Sequence, residues 1–241
     1  MVRIVLVALL LIARGALAEI LWVADFETAD ISQWMGRQVV DDPSNPRVLI
    51  VDAPVVQGQY ALRVLVRQGD DPIHASGNRN ELVGPTDDEG SEYYYRWSTL
   101  FDETYPSERT WQVFTQAHHT GCCGSPPIEF YVYGEEIRFL VRQDPYQDGS
   151  ILWSTPLVRS LWNDFTWHVK WSSDPNQGFV ELYYNGDLVV PLTNCATMYP
   201  GMQVYLKQGL YRNAAIVPDG IVFHDAMIKG ETLDDVMPPP P

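Results

Sequence analysis

Three short segments carry polar side chains that a folded core would not bury without reason. Arg79-Asn80-Glu81-Leu82 sets a guanidinium and a carboxylate two residues apart, Gln116-Ala117-His118 does the same with an amide and an imidazole, and Tyr205-Leu206-Lys207-Gln208-Gly209-Leu210-Tyr211 places Tyr205, Lys207 and Tyr211 at even spacing. Successive strand residues point to opposite faces, so in each segment the polar members share one face while Leu82, Leu206 and Leu210 point to the other. Cations and N–H donors of this kind hold an anionic group, and a phenol or an imidazole moves a proton. A sheet face with Arg, Gln, His, Lys and two Tyr is a concave polar surface rather than a core. Plainer readings stand beside this one. Arg79 and Glu81 can simply pair, His118 can be an ordinary half-buried histidine, and Tyr205 can be a packing or stacking residue.

The elements that must position these residues are strands. Ile128, Phe130 and Val132 alternate with Glu129, Tyr131 and Tyr133, and after a turn at Glu135-Glu136, Ile137, Phe139 and Val141 alternate with Arg138, Leu140 and Arg142. That pattern predicts a hairpin. A second is predicted over Phe179 to Tyr184, turned by Asn185-Gly186 and continued by Leu188 to Pro191. Further strands are expected at Leu21 to Phe26, Ala61 to Arg67, Arg79 to Leu82, Tyr93 to Leu100, Trp111 to His118, Phe165 to Trp171, Gln203 to Lys207 and Gly220 to Lys229. No long amphipathic helix competes with them. Regular strands without a linker or internal repeat imply one all-β domain over residues 19–237, a two-sheet antiparallel sandwich of the jelly-roll kind, followed by a Pro tail at 238–241.

The first 18 residues read as a signal peptide: Arg3, an apolar run from Ile4 to Ala13, and Ala16-Leu17-Ala18 as a small-x-small cleavage site. The apolar run is shorter than the roughly 20 residues a bilayer requires. A secreted protein, extracellular or periplasmic, starting at Glu19 is expected. The 31 acidic against 16 basic residues give −15, and removal of Arg3 and Arg14 with the leader makes it −17 over 223 residues. Such a charge argues against nucleic acid or an anionic membrane as partner and requires any anionic ligand to meet a local basic strip, for which Arg79, Lys207, Arg138, Arg142 and Arg212 are candidates. Export permits disulfides, and among the three cysteines the expected bridge joins Cys122 or Cys123 to Cys195, because a bond between neighbours closes a strained ring. A zinc site with His118 and His119 lacks the separated ligand pairs usual for that metal. Asp25, Glu27 and Asp225 are candidates for a structural calcium; catalysis calls for no metal and no cofactor.

In their order along the chain, R-x-E-L, Q-x-H and Y-x-K-x-G-x-Y resemble the three active-strand motifs of the jelly-roll polysaccharide lyases, the group of alginate, glucuronan and heparin lyases. Ala24-Asp25-Phe26-Glu27 and Phe223-His224-Asp225 also look like the terminal strands of that fold, so the resemblance spans nearly all of the chain after residue 18. It departs from the alginate-lyase pattern at Ala117, His119 and Asn213. The resemblance implies a concanavalin-like β-jelly roll and a lyase that cleaves a 4-linked uronic-acid polysaccharide of glucuronan or alginate type by β-elimination, acting as a monomer on an acidic polysaccharide. Gln116, His118 and Arg79 then neutralise the uronate carboxylate. Tyr211 is the expected base and acid, with cations nearby favouring the phenolate, while His118 is the alternative base and His74 a further neutraliser or base. Lys207, Tyr205, Glu81, Tyr131 and Arg138 are expected to bind substrate. Two other classes remain open: a non-catalytic, lectin-like carbohydrate-binding module using the same face, and a glycoside hydrolase, for which the E-x-D-x-x-E segment of laminarinase-like enzymes is absent.

Overall fold

The computed structural model describes residues 19–121 and 123–237; the expected leader, Cys122 and the Pro tail lie outside these. The chain runs through β1 (Ile20–Ala24), β2 (Gly36–Gln38), β3 (Val48–Val51), β4 (Ala61–Val66), β5 (Asn78–Asp87), β6 (Glu92–Phe101), β7 (Gln112–His119) and β8 (Ile128–Tyr133). It continues through β9 (Glu136–Val141), β10 (Ser150–Pro156), β11 (Trp162–Lys170), β12 (Phe179–Tyr184), β13 (Asp187–Asn194), β14 (Val204–Arg212), β15 (Gly220–Gly230) and one helical turn, α1 (Leu233–Val236). Two antiparallel sheets result. One has the order β13-β12-β11-β6-β15-β4-β3 with β1 also paired to β15, and the other the order β10-β9-β8-β7-β14-β5-β2.

Alternation along the strands assigns the faces. In β8, Ile128, Phe130 and Val132 are fully buried between the sheets, and in β9 Ile137 and Phe139 join them. They meet Trp97, Phe165 and Trp167 of the opposite sheet in one apolar cluster, with the Phe130 ring 5.0 Å from that of Trp97. Each such side chain contributes about 1.5–3 kcal/mol on burial. The first hairpin turns at Gly134-Glu135, one residue earlier than the expected Glu135-Glu136, with Gly134 at φ 62°. The second turns at Asn185-Gly186 as expected, both residues at positive φ as a type I′ turn requires. Three strands escaped the reading of the sequence: β2, β3 and β10.

The expected bridge to Cys195 is overturned. Cys195 is a free, buried thiol in the core cluster, its N–H bound to the Gly178 carbonyl at the end of β12 and β13, and burial pushes it up to about 11. Cys123 is disulfide-bonded and lines a cleft on the outer face of the other sheet, and Cys195 is not its partner. The carboxylates considered for calcium accept N–H groups of the chain. Glu27 accepts from Gln59 and Tyr60 (both 2.9 Å), Asp225 from Val56 (2.8 Å) and Ala226 (2.6 Å), and Asp25 accepts the Gln33 side-chain amide (2.8 Å). Among the described residues, no three or more His, Cys, Asp or Glu gather as a metal-binding group. No helix among them is long and apolar enough to cross a membrane.

Candidate active site

The seven-stranded sheet turns its outer face to a cleft of about 1100 Å³. Its centre is β14, flanked by β5 and β7, and the register there sets the three motifs side by side. Tyr211 pairs with Arg79 and Gly209 with Glu81 on one flank, while Lys207 pairs with Gln116 and Tyr205 with His118 on the other. Farther out, Gln116 pairs with Glu129 and Tyr131 with Arg138. The glycine of Y-x-K-x-G-x-Y has a steric reason: Gly209 has φ 149°, and a Cβ there would lie 2.3 Å from the Asn80 carbonyl oxygen. Any larger residue would push β14 off β5 between Lys207 and Tyr211.

Under the floor, Glu81 gathers the motifs. Its carboxylate accepts from Lys207 Nζ (2.5 Å), from Arg79 Nη1 (3.4 Å) and from Gln116 Nε2. Arg79, Glu81, Gln116 and Lys207 are each at most 5% exposed, which makes this a buried three-charge cluster of net +1. Burial pushes the Glu81 carboxyl up, but Lys207 and Arg79 outweigh it and hold it below the usual carboxylate range. Lys207 is lowered, chiefly by burial and further by Arg79. Arg79 Nε and Gln116 Oε1 are buried without a partner among the described residues.

Tyr211 is half-buried at the end of β14. The Arg79 guanidinium lies 3.7 Å from its ring centroid, the Trp111 ring packs at 4.6 Å, and its hydroxyl is 2.8 Å from Ser76 Oγ. Ser76 also receives Arg79 Nη2 on its carbonyl at 2.8 Å. The loop carrying Ser76 is drawn in at Gly77, whose φ of 71° and lack of a side chain leave room for Tyr211 and Trp111.

His118 corrects an expectation. Its Nδ1 lies 2.9 Å from the His119 carbonyl, an acceptor only, so Nδ1 carries the proton and the neutral ring presents Nε2 as a lone pair. Desolvation, with smaller contributions from Lys207 and His119, lowers its pKa to about 4. At neutral pH the His118 ring is therefore uncharged, with Nε2 able to accept a hydrogen bond and no further ring N–H to donate to a carboxylate.

The other expected residues divide. Lys207, Tyr205, Tyr131 and Arg138 line the cleft, and Glu81 and Gln116 lie beneath it. His74 is not brought in. It is exposed on a turn at φ 52°, and its neighbours Ile73, Ala75 and Ser76 line the cleft in its place. Arg212 leaves the basic strip, being fully buried with Nη1 on the Pro218 carbonyl. Arg138 is paired with Glu136 (2.7 Å) and Arg142 with Glu129 (2.8 Å), so the remaining cations of the cleft each carry a carboxylate partner. Ser76, Trp111, Tyr133 and Glu129 were missed as site residues: the first two sit in or beside loops without periodicity, and the last two read as ordinary hairpin alternation.

The sequence matches the polysaccharide lyase family over residues 26–228. The chain belongs to that family. Among solved structures, this lyase is similar to an endo-β-1,4-glucuronan lyase from the fungus Trichoderma reesei (17% identity, TM-score 0.72, covering 90% of this chain and 98% of that one). It is also similar to the family 7 alginate lyase A1-II′ (14%, TM-score 0.63, 87% and 98%) and to a glycoside hydrolase family 131 catalytic domain from Coprinopsis cinerea (14%, TM-score 0.63, 90% and 96%). At these identities the structural likeness speaks for the jelly-roll fold alone. No curated protein is significantly similar in sequence. Family membership decides for a polysaccharide lyase against the non-catalytic module and the hydrolase.

Proposed function

We propose that this lyase is a secreted monomer that cleaves a 4-linked polyuronate by β-elimination, with glucuronan first and alginate second among the candidate substrates. The observation that carries the reading is the Tyr211 phenol beneath the Arg79 guanidinium (3.7 Å), on the strand that also presents Lys207 beside Gln116. A uronate carboxylate over this net positive cluster has its charge offset as C5 gives up its proton. Tyr211, ionised as the phenolate, takes that proton, the C5–H electrons form the C4–C5 double bond, the C4–O4 bond breaks, and the resulting phenol gives the proton to the departing O4, which restores the phenolate. The chemistry needs no metal or cofactor. Glucuronan is placed first because the glucuronan lyase neighbour has a TM-score of 0.72 against 0.63 for the alginate lyase, a ranking that the assay below tests. A second reading, favoured by the bare Nε2 of His118, makes that histidine the base when C5–H and O4 lie on opposite faces of the sugar.

Incubation with glucuronan, alginate and heparin-type chains, followed by the ultraviolet absorbance of the unsaturated uronate, tests the proposal. Absorbance should rise on glucuronan or alginate without consumption of water; silence on all the polyuronates while binding persists would overturn it. Sequencing the N-terminus of the exported protein tests secretion, with Glu19 expected.

A further inference from the structure

We propose that Ser76 is a positioning residue for Tyr211, holding its phenolic oxygen at the point of proton transfer and stabilising the phenolate by donating its hydroxyl hydrogen. This rests on the reading of Tyr211 as the proton carrier. Ser76 Oγ lies 2.8 Å from the Tyr211 hydroxyl, and the Ser76 carbonyl accepts Arg79 Nη2 at 2.8 Å, so one loop residue ties together the phenol and the cation stacked on it. The tie is fixed from behind. A Cβ on Gly77 would lie 2.6 Å from Tyr211 Cε2 and from the Arg212 carbonyl, so the loop sits as close to the strand as a backbone can. It is fixed from the front by Asp71, which accepts the Ala75 N–H at 2.9 Å.

A serine hydroxyl serves both halves of the cycle because it rotates. With Tyr211 neutral, Ser76 can accept the phenol hydrogen; with Tyr211 ionised, it turns and donates. The C5 proton then arrives at an oxygen already aimed, and leaves for O4 as Ser76 returns to accepting. No net proton passes to serine. The charged and titratable groups around Tyr211 are Arg79 of β5 on its ring, Lys207 and Glu81 deeper along the floor, Tyr131 of β8 in the small apolar cluster it packs against, and Tyr133 of β8 packed against that same cluster. Among them, Ser76 is the group bonded to the phenolic oxygen.

Four variants decide it: Ser76→Ala, Ser76→Thr, Tyr211→Phe and the double variant Ser76→Ala with Tyr211→Phe. A hydrogen bond to a charged group is worth enough to shift an ionisation by about one pH unit. On glucuronan, Ser76→Ala should move the acid limb of kcat/KM up by about that unit and lower kcat by roughly 10-fold at the original optimum with KM little changed, while Ser76→Thr should restore the limb. In the Tyr211→Phe background, Ser76→Ala should have no further effect. Tyrosinate absorbance needs no substrate: the titration step that Tyr211→Phe removes should move to higher pH in Ser76→Ala. An unmoved limb and an unmoved tyrosinate step would overturn the proposal. If Tyr211→Phe instead keeps full activity while the tyrosinate step still moves, the base assignment has failed and the Ser76 tie stands.

Discussion

At the residue scale, two groups in the cleft can take a proton, the Tyr211 oxygen under Arg79 once ionised and the bare Nε2 of His118, and their removal has different consequences. Tyr211→Phe keeps the ring against Trp111 but removes the oxygen, and turnover should fall on the order of 100-fold to 10,000-fold with KM little altered. His118→Ala should cost less if Tyr211 is the carrier; the reverse order, with both variants folded by circular dichroism, would make histidine the base. Glu81 acts differently. Glu81→Gln leaves Arg79 and Lys207 facing each other, both buried, without the anion between them, and should lower stability by about 3 kcal/mol in urea denaturation. Reading R-x-E-L, Q-x-H and Y-x-K-x-G-x-Y as one face was possible because polar residues at even spacing in apolar strands are anomalous. The His118 tautomer was not legible, since it depends on a carbonyl one residue on, and a serine in the loop between β4 and β5 carries no pattern at all.

At the element scale, β14 is held from both sides. Beside it run β5 and β7, and behind it His224 of β15 reaches across the core, its Nε2 donating to the Gly209 carbonyl (2.9 Å) while Nδ1 meets Thr99 Oγ1 (3.0 Å). Full burial lowers His224 to about 4. A histidine depressed in the folded state binds protons more readily unfolded, so its contribution is complete above about 6.5 and declines as pH falls toward 4, by on the order of 3 kcal/mol. His118 acts in the same direction. Asp225, raised to about 6 chiefly by burial, opposes them, because a raised carboxyl gains stability on acidification through that value. Two histidines against one carboxyl leave a net loss, so urea midpoints should hold from pH 8 to 7 and fall between 6.5 and 4; a flat profile would refute the sum. Strands with clean alternation, such as β8 and β9, were legible from sequence. β2 is three residues long, β3 is Val-Leu-Ile-Val with no polar alternation, and β10 mixes exposed Ile151 and Pro156 into an edge, so none of these gives a period-two signal.

For the whole molecule, the sum of charge and the charge of the site have opposite signs. The sequence carries −15, yet the cluster beneath the cleft is net positive and the outlying Arg138 and Arg142 are neutralised by Glu136 and Glu129. Long-range repulsion of a polyanion is screened within about 10 Å at 0.1 M salt, whereas the buried cluster is screened far less. Activity on a polyuronate should hold or rise as salt increases from very low levels, measured as kcat/KM; a steady fall from the lowest salt would mean that global attraction governs encounter. The charge balance was legible from composition, but the pairing of each arginine was not, because Glu136 and Glu129 become partners only through strand register.

The bond from Lys207 to Glu81 joins residues 126 positions apart, and β15, the last strand made, lies in the middle of its sheet between β6 and β4. Time therefore enters the chemistry. While the chain is being made, Arg79, Glu81, Gln116 and His118 exist for a long interval without Lys207 and Tyr211, and the strand that braces Gly209 from behind arrives last of all. Contacts between distant parts of a chain form late and slowly. The ability to cut a polymer thus switches on only after β15 has been made and docked, and recovery of activity after dilution from denaturant marks the closing of the sandwich.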